Sequence, residues 1–128
     1  QSITPILKDG VYAYCLVPHG SDVRPFAPVV TVVEDEGVSL IVSEDVALAA
    51  DLEILFRAAW ITLTVHSDLQ ALGLTAAFSH ALASAGISCN VVAGVFHDHI
   101  FVPVELGPRA LEVLIALQEN AILAVRSL

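Results

Sequence analysis

The chain is short of positive charge: five Lys and Arg stand against 14 Asp and Glu among 128 residues, for a formal net charge of −9. With no basic stripe to displace counterions from phosphates, nucleic acid is not an expected partner. Charged residues of either sign make up only 15%, against roughly 25% in an average domain. Apolar residues reach 56%, ample to offset the entropy of ordering, so a disordered chain is excluded. Long apolar runs are nonetheless missing. None approaches the roughly 18–20 residues that cross a bilayer, and no membrane partner is expected. No basic segment followed by an apolar stretch opens the sequence, which points to a cytoplasmic location. The two cysteines, Cys15 and Cys89, are too few for a disulfide framework and read as buried thiols in a reducing compartment. No P-loop, dinucleotide-binding glycine pattern, HExxH or GxSxG occurs, and no cofactor is expected.

What is present is an acidic and unusually apolar sequence, with a mean hydropathy of +0.79. A domain of this size still exposes about a third of its unfolded surface. Some of that apolar area is expected to pack against another copy of the chain, as a homo-oligomer.

Val11–Pro18 is aromatic and β-branched and reads as a strand. His19–Pro28 holds one glycine and two prolines and cannot be a regular helix. Val29–Val33 and Val38–Val42 form a hairpin around the turn Glu34-Asp35-Glu36-Gly37, with Gly37 free to take positive φ. Ser43 opens a short helix over Val46–Leu52, while residues 54–59 fit a helix end or a strand. In the second half, Trp60–His66 alternates as a strand and Ser67–Gly73 is a loop. Leu74–Ala85 follows as a helix, with Leu74, Phe78, Ala81, Leu82 and Ala85 at helical spacing and Gly86 as its stop. Ile87–Gly94 and Phe96–Val104 are strands. A helix from Arg109 to Asn120 stacks Leu111, Leu114, Ile115 and Leu117 on one face, and Ala121–Val125 reads as a closing strand. The order is βαββαβ, the ferredoxin-like unit.

The two hairpins repeat. Val29–Val42 matches Val91–Val104 at an offset of 62 without a gap, pairing Val30, Val33, Val38 and Val42 with Val92, Val95, Ile100 and Val104. The preceding strands align at a smaller offset, so the first copy lacks about the length of a helix. The predicted fold class is therefore α+β: two tandem ferredoxin-like units, residues 1–58 and 59–128, the first abridged and lacking its first helix.

The stretch Ile61–Ile87, followed by Ser88-Cys89-Asn90, resembles the ACT domain. The resemblance rests on a strand leading to Asp68, on Gly73-Leu74 opening a helix, and on Gly86-Ile87 starting the next strand. The usual Asp-x-Pro-Gly spacing is longer by two residues here and its proline is lost. The fuller string from Val65 to Pro103 is similar to small bacterial tandem-ACT proteins related to the CASTOR-type arginine sensors. The resemblance implies a regulatory module without catalysis that binds a small molecule, commonly an amino acid, at an interface between ACT units. A loop leading into a helix N-terminus offers unpaired N–H groups and a favourable field for a carboxylate. The candidate ligand-binding residues are His66, Ser67, Asp68, Leu72, Gly73, Leu74 and Asn90. Gly73 reads equally as a plain turn, Asp68 as a helix cap, and Asn90 as an ordinary strand residue.

Of five histidines, His97 and His99 cluster around Asp98, and on a strand both rings project to one face and Asp98 to the other. Two imidazoles are metal candidates, but a zinc site needs a third ligand and usually a fourth. The repeat sets His97-Asp98-His99 against Asp35-Glu36-Gly37, at a hairpin turn. His66 neighbours the ligand loop, His19 is its counterpart in the first copy, and His80 falls on an exposed helix edge. The rival functions are a metal-assisted hydrolase built on His97 and His99, and a pure oligomerisation or interaction module.

Overall fold

The computed structural model describes the backbone of residues 4–64 and 70–126, and the side chains of residues 4–64 and 76–120. Its elements in chain order are β1 (Ile6–Leu7), β2 (Tyr12–Val17), β3 (Val30–Glu34), β4 (Gly37–Ser43), α1 (Glu44–Ala49), β5 (Phe56–Thr64), α2 (Gln70–Ser84), β6 (Asn90–Ala93), β7 (His97–Pro103) and α3 (Gly107–Arg126). By contacts the chain divides into Asp9–Ala58 and a second unit made of residues up to Lys8 together with Ala59–Leu128. Among the described residues no helix is long and apolar enough to cross a membrane.

In the N-terminal unit the strands lie in the order β3-β4-β2-β5, all neighbours antiparallel, with β5 contributing its first three residues. Alternation decides which side chains go inside. Ala13, Cys15 and Val17 of β2 and Val38, Leu40 and Val42 of β4 are buried with Ala47 of α1. This is the ferredoxin-like strand order without its first helix, as the sequence predicts. The connection from β2 to β3 holds only a three-residue 3₁₀ turn, Arg24–Phe26, whose Phe26 packs on the core beside Val23. The missing helix leaves a mark. Val33 pairs with buried Val38 and shares its helix-facing side, yet Val33 is 74% exposed. Gly37 is required where it stands: a Cβ there would lie 2.8 Å from the Val17 carbonyl oxygen. The helix expected over Val46–Leu52 begins earlier, directly after Ser43, and ends at Ala49.

In the C-terminal unit the strand order is β1-β5-β7-β6. The core beneath α2 and α3 gathers Ile61, Leu63, Phe78, Leu82, Ile100, Val102 and Leu114, all nearly or fully buried. Each large apolar side chain so buried stabilises the fold by about 1.5–3 kcal/mol. Helix α2 ends in a Schellman motif: Ile87 N–H donates to the Leu82 carbonyl and Gly86 N–H to that of Ala83, with Gly86 at φ +77°.

Three expectations fail in this unit. Ala121–Val125 is not a strand, because α3 runs on to Arg126. A short run of Ala, Leu, Ile and Val fits either state, and after Pro108 no glycine or proline stops the helix. The edge place beside β5 goes instead to Ile6 and Leu7, which pair with Thr62 and Ile61. That pairing is why the residues up to Lys8 group with the second unit. On α3 the buried positions are Ala110 and Leu114, with Val113 and Leu117 partly covered, whereas Ile115 is 39% exposed. Finally, the hairpins repeat at 60 residues rather than 62. The turn Asp35-Glu36 lies between paired Glu34 and Gly37, and Val95-Phe96 lies between Gly94 and His97, whose backbones bond at 2.8 Å. A slip of two residues keeps the inside-outside alternation, so the apolar pattern alone does not register it.

Leu82→Ala is expected to cost roughly 2–5 kcal/mol, while Ile115→Ala stays within about 0.5 kcal/mol. Urea melts of the two variants check this, and a larger loss at Ile115 than at Leu82 contradicts the packing described.

Candidate functional site

The 15 residues of α2 carry the chain about 22 Å, back along the roughly 20 Å that Ala59–Thr64 spans. Thus β6 runs parallel to β5, and β7, antiparallel to β6, starts at the end where β5 finishes. Asp98, the second residue of β7, therefore sits at the end of the sheet where β5 hands over to α2. Its side chain takes the same side as Ile100 and Val102, towards the helices, and only 5% of the residue is exposed. Among the described residues it is the one charged side chain that is buried. Acidic side chains are costly to bury unless paired or hydrogen-bonded, and Asp98 has an interaction partner of its own.

The opposite side of the same strands carries a different set. Trp60 stacks on Phe101, with centroids 6.1 Å apart and planes at 18°, and the Lys8 ammonium lies 5.2 Å from the centre of its ring. Trp60 Nε1–H donates to His99 Nδ1 at 3.1 Å. The His97 ring is 6.2 Å from that of His99, so both histidines face one way as expected. They stand on strand β7, however, and not at the turn, because the turn is Val95-Phe96. Gly94 is pressed close: a Cβ there would lie 3.0 Å from the His97 carbonyl oxygen and 3.1 Å from His99 Nε2.

The metal reading fits this geometry poorly. An indole can only donate, so His99 Nδ1 accepts and Nε2 of the neutral ring carries the proton, leaving no lone pair for a cation. Among the described residues, no group of three or more His, Cys, Asp and Glu side chains is placed to hold a metal ion. The thiols are no better as nucleophiles. Burial pushes the pKa of both Cys15 and Cys89 up, away from the thiolate.

Of the sequence candidates, His66, Ser67 and Asp68 lie outside the described residues. Leu72, Gly73 and Leu74 lie within α2, which begins at Gln70, not at Leu74. The amides of Gln70, Ala71 and Leu72 are thus the ones with no intrahelical partner, and Gly73 stands one turn inside the helix. Asn90 pairs with Phe101, which stacks on Trp60, four residues before the end of β5. At about 3.3 Å per residue this sets Asn90 some way from the α2 start, on the side facing away from the helices. His80 is exposed on α2, as expected, and His19 bonds through Nε2 to the Asp35 carbonyl at 3.0 Å, tying the shortened loop to the β3–β4 turn. A groove of about 590 Å³ between α2 and α3, lined by Ala81, Ala85, Arg109, Val113, Ala116 and Leu117 among others, holds none of the candidates. Sequence reasoning missed the weight of Asp98, although its signal was legible: an acid in line with Ile100 and Val102 on one strand face.

Two ACT-domain models match the chain, over residues 1–59 and 56–116. A Vibrio cholerae protein of unknown function, described as a possible transport protein, is 44% identical over 91% of each chain, with a TM-score of 0.83. The chain belongs to the ACT-domain family, with two ACT domains in tandem. An Agrobacterium tumefaciens protein shares the fold at 16% identity, 92% and 90% coverage of the two chains, and a TM-score of 0.69. The regulatory subunit of aspartate kinase from Thermus flavus does so at 12% identity, 91% and 99% coverage, and a TM-score of 0.61. No curated protein matches.

Gly94→Ala is expected to cost about 1–3 kcal/mol through overpacking against His97 and His99. In a His99→Ala background the same change costs less, because one of the two clashing groups is gone. Urea melts of the four proteins in the cycle measure the difference, and strict additivity contradicts the contact.

Proposed function

We propose that this protein is a regulatory module that binds an amino acid where β5 gives way to α2 in its C-terminal unit, and that it performs no chemistry of its own. The observation that carries this reading is the tandem ACT fold, whose C-terminal unit brings the start of α2 to the end of the sheet where β5 finishes and β7 begins. A free amino acid presents an ammonium and a carboxylate a few ångströms apart. The amides of Gln70, Ala71 and Leu72 at the start of a 15-residue helix suit the carboxylate. His66, Ser67, Asp68, Leu72, Gly73 and Leu74 belong to the same connection and are the residues proposed to line it, with Gly73 allowing close approach to the backbone. Asn90 is left out of the pocket on its register.

The regulatory fold neighbours support a binding role over a catalytic one. The relation to the CASTOR-type arginine sensors belongs to this proposal as well. A net charge of −9 favours a cationic ligand. A switch needs two states that the ligand binds unequally. We read the chain as a cytoplasmic homo-oligomer whose assembly supplies the second state, in keeping with exposed Val33, Val95 and Phe96.

A thermal-shift panel of the twenty amino acids at millimolar concentration tests the reading. At least one is expected to raise the melting temperature saturably, a ligand at one hundred times its Kd adding about 2.7 kcal/mol. Gly73→Asp, which sets a side chain and a negative charge beside the proposed carboxylate subsite, is expected to lose the response while still folded by circular dichroism. If none of the twenty nor their common relatives shifts the wild type, the amino-acid reading fails.

A further inference from the structure

The chain's one tryptophan fixes where a proton sits. Because Trp60 Nε1–H donates to His99 Nδ1, His99 is neutral with its proton on Nε2, and the ring is held between Trp60 at one nitrogen and the Gly94 backbone near the other. A second proton would set Nδ1–H against Nε1–H, donor against donor. It would also add a cation beside others. His97 lies one pleat away on the same strand, and Lys8 faces the cluster from beside β1 over the Trp60 ring. Among the described residues the neighbouring strands offer no compensating acid here: β5 presents Trp60, and β6 presents Val92 in register with His99. Asp98 is adjacent in sequence but projects to the opposite side of the sheet.

We propose that Trp60 and His99 form an acid-released latch: neutral His99 ties β7 to β5 across this side of the sheet, and protonation at Nδ1 breaks the tie. Desolvation lowers the His99 pKa from its ordinary 6.5, and His97 and Lys8 lower it further, while Asp98 pulls the other way. A base whose folded pKa is depressed gives its full stabilisation above the unfolded value. The chain therefore loses stability as the pH falls through 6.5 towards the folded pKa. Release loosens the start of β7 and the turn that carries Val95 and Phe96, which are 82% and 73% exposed. The latch is independent of whether the chain binds an amino acid.

The emission of Trp60, recorded on the full chain from pH 8 to 4.5, reads the latch directly. The wild type is expected to show one transition with a midpoint below 6.5. In His99→Gln, whose side-chain carbonyl accepts the indole N–H but does not titrate, the emission is expected to stay flat. In His97→Gln the midpoint is expected to rise, because a neighbouring cation is removed. A flat wild-type trace, or an unchanged transition in His99→Gln, overturns the proposal. A measurement on the wild type alone decides the matter if the variants do not fold: ring ¹⁵N shifts at pH 8 must show His99 protonated at Nε2, and protonation at Nδ1 contradicts the latch.

Discussion

A carboxylate in an apolar interior has to be answered by a hydrogen-bond donor or a positive charge, or it unfolds its surroundings. Asp98 imposes that requirement on the C-terminal unit. It interrupts a strand face that otherwise reads Ile100 and Val102, and it does so where the sheet meets the start of α2. An isosteric apolar residue would pack there without any such demand. Asp98 has a partner of its own within the protein, so the functional reading rests instead on the ACT fold and on the helix start that the fold places at this end of the sheet.

The two units reach the same strand order by different economies. The N-terminal unit drops a helix and covers the gap with Val23 and Phe26 from a shortened loop, which protects β2 and β4 but leaves Val33 of β3 uncovered. The C-terminal unit keeps both helices, its Ala121–Val125 continues α3, and Ile6 and Leu7 of β1 pair beside β5. Val33 in one and Val95-Phe96 in the other are the most exposed of the large apolar side chains among the described residues, which agrees with a sequence more hydrophobic than its cores require.

Much of this was legible in the residues. Period-two alternation located the hairpins and β5, because one buried face forces every second side chain to be apolar. Gly86 marked the end of α2 because a left-handed C′ residue favours glycine, and the missing length between β2 and β3 announced the missing helix. The failures have equally physical causes. Alternation does not distinguish offsets of 60 and 62. Ala121–Val125 has no intrinsic preference strong enough to outvote twenty residues of uninterrupted helix. A two-residue strand such as Ile6–Leu7 carries no periodicity at all, so Lys8 and its place over Trp60 were invisible. The site was readable only in part: spacing gave the two faces of β7, but which face is buried depends on contacts made by α2 and α3.

The central claim is that ligand occupies the end of the C-terminal unit where β5, β7 and the start of α2 meet. Hydrogen–deuterium exchange of the full chain, with and without a saturating amino acid, locates the binding site without a substitution. The account predicts that slowed exchange concentrates in the amides of residues 66–74 and at the start of β7. Protection confined to the α2–α3 groove, or to Asp9–Ala58, would contradict it.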